Sequence, residues 1–388
     1  VFKMFQPLSD IRVVDLTQVL AGPYATYQLA LMGAEVLKIE QPDLGDWTRY
    51  GTAPAGLQDQ QMATAYLTQN AGKKSITLDL KKSSDLRSLK KLIKTADVFV
   101  ENFRPGTANK LGLSSSEVFK IKPNIIYCSI SAYGHDGPKS KRPAYDHIVQ
   151  GMSGIMKLTG TRETEPNKVG APYIDYATGM NAAFAVVSAL HEVKRTKKGI
   201  VVDVAMLDTS LLLMASLVTN HLNTGWQPEA SGNEAWSQSP SSGAFETKEG
   251  LLMIAANNER QYGSLCRALE LEYLLEDTRF CVFENRKRNS AILRKIFADK
   301  IRMETADFWE DKLEIFAVPA AKVRSLNETL ADPQVLERGI TKPMEVNNAK
   351  APLHMPTLGF KIDGETISPK TQPPRLGEHN SLLTPDPD

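Results

Sequence analysis

Asp175 stands in the stretch Val169-Gly-Ala-Pro-Tyr-Ile-Asp-Tyr-Ala-Thr-Gly179, between a Gly/Pro-rich turn and a helical run from Ala177 to Lys194. A carboxylate in that place has two uses. It can cap the helix by accepting the unpaired N–H groups of the first turn. It can also present a weakly hydrated oxygen to a bound electrophile, which makes a carboxylate a covalent catalyst. Other familiar chemistries lack the residues to carry them. The loop after the first apolar segment reads Ala21-Gly22-Pro23 instead of GxGxxG, which argues against a nicotinamide cofactor even though Glu40 ends the next strand where a ribose-binding acid belongs. No Walker sequence occurs. Gly151-Met-Ser-Gly154 lacks the spacing of a nucleophile elbow. The six histidines never take ligand spacing, so no metal is expected.

The elements that must position such a carboxylate alternate strand and helix. Ile11 to Leu16 reads as a strand, Ala21 to Pro23 as a turn, Tyr24 to Met32 as a helix ended by Gly33, and Glu35 to Ile39 as the next strand. The pattern recurs with strand Ser75–Asp79, an amphipathic helix Ser84–Thr95 carrying Leu86, Leu89, Leu92 and Ile93 on one face, and strands Val98–Val100 and Ile125–Ile130. A long apolar helix, about Tyr176 to Lys194, then precedes strand Ile200–Val204 and a helix Leu207–Leu222. Alternation of this kind implies a parallel sheet covered on both faces, with ligands beyond the carboxyl ends of its strands.

The expected fold class is therefore α/β. A large domain over 1–222 is followed by a linker over 223–242, where Gly, Pro, Ser, Asn and two Trp replace any periodicity. A smaller α+β domain covers 243–316, opening with a hairpin around Lys248-Glu-Gly250. The Pro-rich segment 317–388 needs another surface to order it, and is expected to return to the large domain.

Composition narrows the function classes. At 388 residues the chain is long enough for two lobes. Lys+Arg 46 against Asp+Glu 45 gives a net charge of +1, which argues against nucleic-acid or membrane-surface partners and makes any anion site local. Cys128, Cys266 and Cys281 form no CxxC pair and suit a reducing, cytoplasmic setting. No apolar run reaches the length of a membrane span, and the N-terminal residues lack the pattern of an export signal.

Seven segments then follow one another in a telling order: Thr17–Pro23, Gly33–Glu40 with Gly45-Asp46, Asn70–Asp79, Ala96–Gly106, Ser129–Tyr133 with Gly137-Pro138, Pro143–Asp146, and the Asp175 loop. Together with Ala331–Gln334 and Leu376–His379, they resemble the class III coenzyme A-transferase family, which includes formyl-CoA:oxalate and carnitine CoA-transferases and is related to α-methylacyl-CoA racemases. The resemblance implies a Rossmann-like large domain and an interlocked homodimer in which each chain loops through its twin. It implies that Asp175 is the catalytic aspartate of a CoA-transferase, moving CoA from an acyl-CoA to a small carboxylic acid, with no tightly bound cofactor and CoA itself as substrate.

The same resemblance implies a CoA site. Asn102, Phe103 and Arg104 match the nucleotide-contacting segment after a strand, Lys110 and Leu111 match a basic residue with an apolar neighbour, and Leu78 and Lys81, after Lys73 and Lys74, look like another part of that wall. Lys81, Lys90 and Lys110 read equally well as solvated helix charges. Gln18, Leu20 and Ala21 occupy the loop after the first strand, where backbone N–H groups can stabilise an oxyanion. Tyr133 fits either beside the pantetheine arm or in the core. Two departures from the family pattern stand out. The stretch Gly232–Pro240 has no glycine run of the kind that closes over formyl-CoA transferase sites, so oxalate is a doubtful acceptor and closure would fall to Trp236. Tyr145 in Ala144-Tyr145-Asp146 replaces the histidine of the racemases, whose reaction needs an acid and a base on opposite faces of a carbon. His147, displaced by two residues, would point to a different helix face and reads as structural.

Overall fold

The computed structural model describes residues 5–235 and 239–383. Its centre is a six-stranded, all-parallel sheet of order β3-β2-β1-β4-β5-β6, formed by β1 (Arg12–Asp15), β2 (Glu35–Glu40), β3 (Lys74–Thr77), β4 (Val98–Glu101), β5 (Ile126–Ser131) and β6 (Ile200–Ala205). Successive residues on each strand point to opposite faces. Val13, Val36, Val98 and Ile126 therefore join one apolar layer, and Val14, Leu37, Phe99 and Tyr127 join the other. The first layer is covered by α1 (Ala21–Leu31) and by the long helix Tyr173–Thr196, through Ala25, Leu29, Ala182, Ala183 and Val186. The second is covered by the helix Ser83–Lys94 through Leu89 and Ile93.

Strand order reverses between β1 and β4, whose register pairs Val13 with Val98 and Asp15 with Val100. Chains leaving those two strands diverge to opposite sides of the sheet, opening a crevice beyond their carboxyl ends.

Beneath that crevice lies a set of ion pairs with fully buried side chains: Lys73 to Asp15 at 3.1 Å, Lys38 to Asp46 at 3.0 Å and Arg49 to Glu40 at 2.7 Å. Buried pairs of this kind add little net stability but are costly to break, so they fix the loops they touch. Glu40 is fully used by them, accepting from Arg49, Ser75 Oγ and the Asp46 N–H.

Several boundaries differ from the sequence expectation. The first helix begins at Ala21, with Pro23 inside its first turn, where a missing N–H is tolerated. The helix expected over 207–222 is two helices, Met206–Leu213 and Ala215–Thr224, and the break turns Met214 into the interior. Of the two uses open to Asp175, capping is not the one realised. The helix starts at Tyr173, so Asp175 lies within its first turn.

The described residues form two compact units, one of 5–155, 168–226 and 334–383, the other of 156–167, 227–235 and 239–333. In the first, residues after Gln334 pack Val346, Met355 and Leu358 against Tyr27, Leu57 and Tyr66. Thr77 N–H donates to Asn380 Oδ1 at 2.8 Å. In the second, Ser242–Glu246 and Leu251–Ala255 form an antiparallel hairpin. Ala320–Lys322 adds a third strand, which places the start of the segment expected to return, 317–333, in this unit. Its core gathers Leu252, Leu265, Phe297 and Trp309. Among the described residues no helix is long and apolar enough to cross a membrane, and no cluster of acidic, His and Cys side chains is suited to a metal.

Candidate active site

A cavity of about 350 Å³ occupies the crevice at the strand-order reversal. The loop after β1 supplies Gln18, Val19, Leu20 and Ala21, the loop after β4 supplies Asn102, Phe103, Arg104 and Pro105, and Asp175 reaches it from the long helix.

The β1 loop is over-determined. Asn102 clasps Gln18 at both ends, with Oδ1 accepting its N–H at 2.9 Å and Nδ2 donating to its carbonyl at 2.8 Å. Lys38 Nζ donates to the Thr17 carbonyl at 2.8 Å, and Gln69 Nε2 to the Val19 carbonyl at 2.5 Å. These bonds hold Val19 at a φ of 75°, a conformation a β-branched residue adopts only under constraint. Gly22 completes the turn, because a Cβ there would meet the Thr17 side chain at 2.4 Å. Helix α1 then begins with no side-chain cap on Leu20, and the N–H groups of its first turn have no intrahelical acceptor.

Two contacts set Asp175 beside that helix end. Gly179, one turn further on, lets the two helices touch: a Cβ there would lie 2.7 Å from the Ala21 carbonyl oxygen and 3.1 Å from the Tyr24 ring. Tyr24 meets Tyr176 edge to face at 4.8 Å. The capping is done from outside the helix, by the buried Asp146, which accepts the N–H groups of Ile174 at 2.9 Å and Asp175 at 3.1 Å. Gln150 donates to Asp146 at 2.5 Å and accepts from Val169 N–H at 2.8 Å, tying the preceding loop to the same carboxylate. Burial first, and the Asp146 charge second, push the Asp175 carboxyl from 3.8 up to about 7. An ordinary aspartate is fully ionised at neutral pH, and this one is not. Its surroundings leave it divided between acid and carboxylate there.

Of the residues singled out from sequence, Gln18, Leu20, Ala21, Asn102, Phe103, Arg104, Tyr145 and Asp175 line the one cavity. Leu78, Lys81, Lys110, Leu111 and Tyr133 do not. Leu78 is buried in the core layer against which Phe103 and Leu111 pack, so it backs the cavity loop instead of facing a ligand. Lys81 and Lys110 are exposed, and Tyr133 is half-buried. Lys73 and Lys74 are engaged with Asp15 and Glu35. Trp236 lies outside the described residues. Trp47, Ser131, Arg142 and Met206 also line the cavity and were not anticipated. Met206, at the end of β6, is of the kind that the rule of carboxyl strand ends can find; Arg142, in a stretch without periodicity, is not.

Comparison with known proteins identifies the family. The model of the CoA-transferase family III matches residues 8–380. The chain is 33% identical over 379 residues to the succinyl-CoA:glutarate CoA-transferase of Homo sapiens, covering 97% of this chain and 85% of that one. It is 34% identical over 387 residues to the succinate–glutarate CoA-transferase of Agrobacterium fabrum, covering 97% and 94%. A crystal structure of a CAIB/BAIF family protein from Brucella suis superposes with a TM-score of 0.85 at 32% identity, covering 98% of this chain and 99% of that one. With an α/β fold, a parallel six-stranded sheet and a match along nearly its whole length, the chain belongs to the CoA-transferase family III.

Proposed function

We propose that this enzyme moves CoA from a dicarboxylic acyl-CoA such as succinyl-CoA to a free dicarboxylic acid such as glutarate, with Asp175 carrying the acyl and CoA groups in turn. The single observation that supports this reading best is the shared cavity, in which an aspartate adjoins an uncapped helix start and the loop matched to CoA. An Asp175 oxygen attacks the thioester carbonyl, the C–S bond breaks, and an aspartyl anhydride and CoA thiolate result. The thiolate then attacks the Asp175 carbonyl of the anhydride. The donor acid leaves as its carboxylate, taking one oxygen from Asp175, and an aspartyl-CoA thioester remains. The acceptor carboxylate repeats both steps in reverse order, and its own oxygen is left on Asp175. Each intermediate is an activated acyl group, so the thioester free energy is conserved while water is excluded. Backbone N–H groups at Leu20 and Ala21, at the start of that helix and in the cavity lining, would stabilise the oxyanion of each tetrahedral stage. Asn102, Phe103 and Arg104 are the residues we assign to CoA, the guanidinium to a phosphate and the ring to adenine. Lys81, Lys110 and Leu111 would form an outer part of that site, and Leu78 supports it from the core.

Racemisation is the poorer reading. Tyr145 stands where a base would be required, and His147 is not among the residues lining the cavity. We also propose a homodimer. Met180, Phe184 and Val187 form an exposed apolar stripe on the long helix, with Leu212, Leu213 and Leu222 exposed on the helices that follow. Sedimentation at micromolar concentration should find a dimer, and a stable monomer would refute it.

To test the covalent step, the protein is incubated with succinyl-CoA and treated with hydroxylamine or borohydride before peptide mass spectrometry. Modification confined to the Asp175 peptide is expected. Full transferase activity in Asp175→Ala would end the proposal.

A further inference from the structure

Arg142 has no role in the reaction as described, yet it lines the same cavity as Asp175. Its backbone is fixed by a hydrogen bond from its N–H to the Lys139 carbonyl at 2.9 Å. Among the described residues, no carboxylate is paired with its guanidinium. Arg142 also begins the short run Arg142–Asp146, in which Tyr145 lines the cavity and Asp146 caps the helix turn that bears Asp175. A change in that loop is thus transmitted to the nucleophile. Arg104, the other cationic residue of the lining, lies on the β4 loop beside Phe103 and Pro105, in the segment assigned to CoA. Asp175 is the single acidic residue of the lining. The cavity consequently has one more cation than the CoA assignment uses.

A dicarboxylic acid brings a matching anion. When one of its carboxyl groups is joined to sulfur or to Asp175, the other remains charged, and the wall it meets is largely apolar, with Ile130, Ala132, Ala144 and Met206. An unpaired carboxylate against such a wall is costly, whereas a planar guanidinium can hold it through two parallel hydrogen bonds. Because donor and acceptor occupy the same carrier in succession, one cation can serve both.

We propose that Arg142 binds the free distal carboxylate of the dicarboxylic acyl group and of the acceptor acid, and so makes the enzyme selective for diacids. This inference rests on Asp175 being the acyl carrier.

The test compares glutarate with its half-amide, glutaramate, which has the same length but no distal charge, as acceptors for succinyl-CoA. In the native enzyme kcat/KM should favour glutarate. In Arg142→Gln that preference should fall by roughly tenfold to a hundredfold, the loss expected of a charge-assisted hydrogen bond. Arg142→Lys should restore part of it. Melting curves establish that both variants are folded, and Arg142→Lys carries the test if Arg142→Gln is not. An unchanged glutarate preference in the variants, an equal loss for both acceptors, or no preference in the native enzyme would each overturn the proposal. Hydroxylamine trapping on the same samples separates the two ideas. Label on Asp175 with an unchanged preference refutes the role of Arg142 alone, and turnover without label refutes the carrier.

Discussion

The Asp146 carboxylate accepts the backbone N–H of Asp175 at 3.1 Å, so the group that anchors the nucleophile's helix turn also opposes the nucleophile's charge. Capping fixes where the Asp175 side chain begins, and the like charge, added to burial, keeps its carboxyl protonated up to about pH 7. Ionisation is required for attack on a thioester, so kcat/KM for the acyl-CoA should rise with pH through that value.

Asp146→Asn tests this coupling. Its Oδ1 can still cap the helix, while its amide group faces the Gln150 amide and loses that bond, at about 1 kcal/mol. Without the second charge, the acid limb of the kcat/KM profile should move below its native position. It should stop above the range of an ordinary aspartate, because burial is the larger cause. A limb that does not move would remove Asp146 from the electrostatic account.

Replacing the nucleophile should stabilise the protein. The folded-state pKa of Asp175 lies above its unfolded value of 3.8, so between roughly pH 4 and pH 7 the folded chain keeps a proton that the unfolded chain has released. Stability therefore falls as pH rises through that window, and the cost is complete above it. Asp175→Asn is expected to melt a few degrees higher than the native enzyme at pH 8, with the difference vanishing towards pH 4. Equal melting temperatures at both pH values would contradict the raised pKa.

Gly179→Ala isolates the helix contact. Alanine improves helix propensity by about 1 kcal/mol. Its Cβ would nevertheless meet the Ala21 carbonyl oxygen at 2.7 Å and the Ala25 nitrogen at 3.2 Å, both backbone atoms that cannot swing aside. Overpacking of this sort costs typically about 1–3 kcal/mol, so thermal unfolding should show a net loss of stability. Activity should fall further than stability alone explains, since the displaced helix carries Asp175.

Asn102→Asp examines the β1 loop. The carboxylate would face the Gln18 carbonyl to which Nδ2 now donates at 2.8 Å, exchanging a hydrogen bond for a repulsion. A loss of about 1–2 kcal/mol in denaturant unfolding and a reduced kcat are expected, because the N–H groups that follow Gln18 lose their fixed aim.

The place of the cavity was legible from the sequence because it follows from sheet topology, while the roles given to Asn102, Phe103, Arg104 and Asp175 came from the family resemblance. Alternating strands and helices place ligands beyond the carboxyl strand ends, and Gln18 to Ala21 and Asn102 to Arg104 occupy two of those ends. Leu78 shows the limit of the family resemblance, which implied a part in the ligand wall, whereas the side chain packs in the core layer behind the cavity loop. Asp146 as the cap of a distant helix, and the Lys73–Asp15 pair beneath the β1 loop, are contacts between segments far apart in the chain, for which local periodicity carries no signal. Arg142 was missed for a related reason, as it stands in an irregular stretch between β5 and the helix beginning at Asp146.

The most direct test of the carrier role follows an oxygen atom. The enzyme turns over succinyl-CoA with glutarate whose four carboxylate oxygens are all heavy-isotope labelled, and the Asp175 peptide is then weighed by mass spectrometry. Transfer through an aspartyl anhydride leaves an acceptor oxygen on the Asp175 carboxylate, so that peptide should gain label in proportion to turnover until both its oxygens have exchanged. Complete conversion of labelled glutarate with an unlabelled Asp175 peptide would contradict the mechanism.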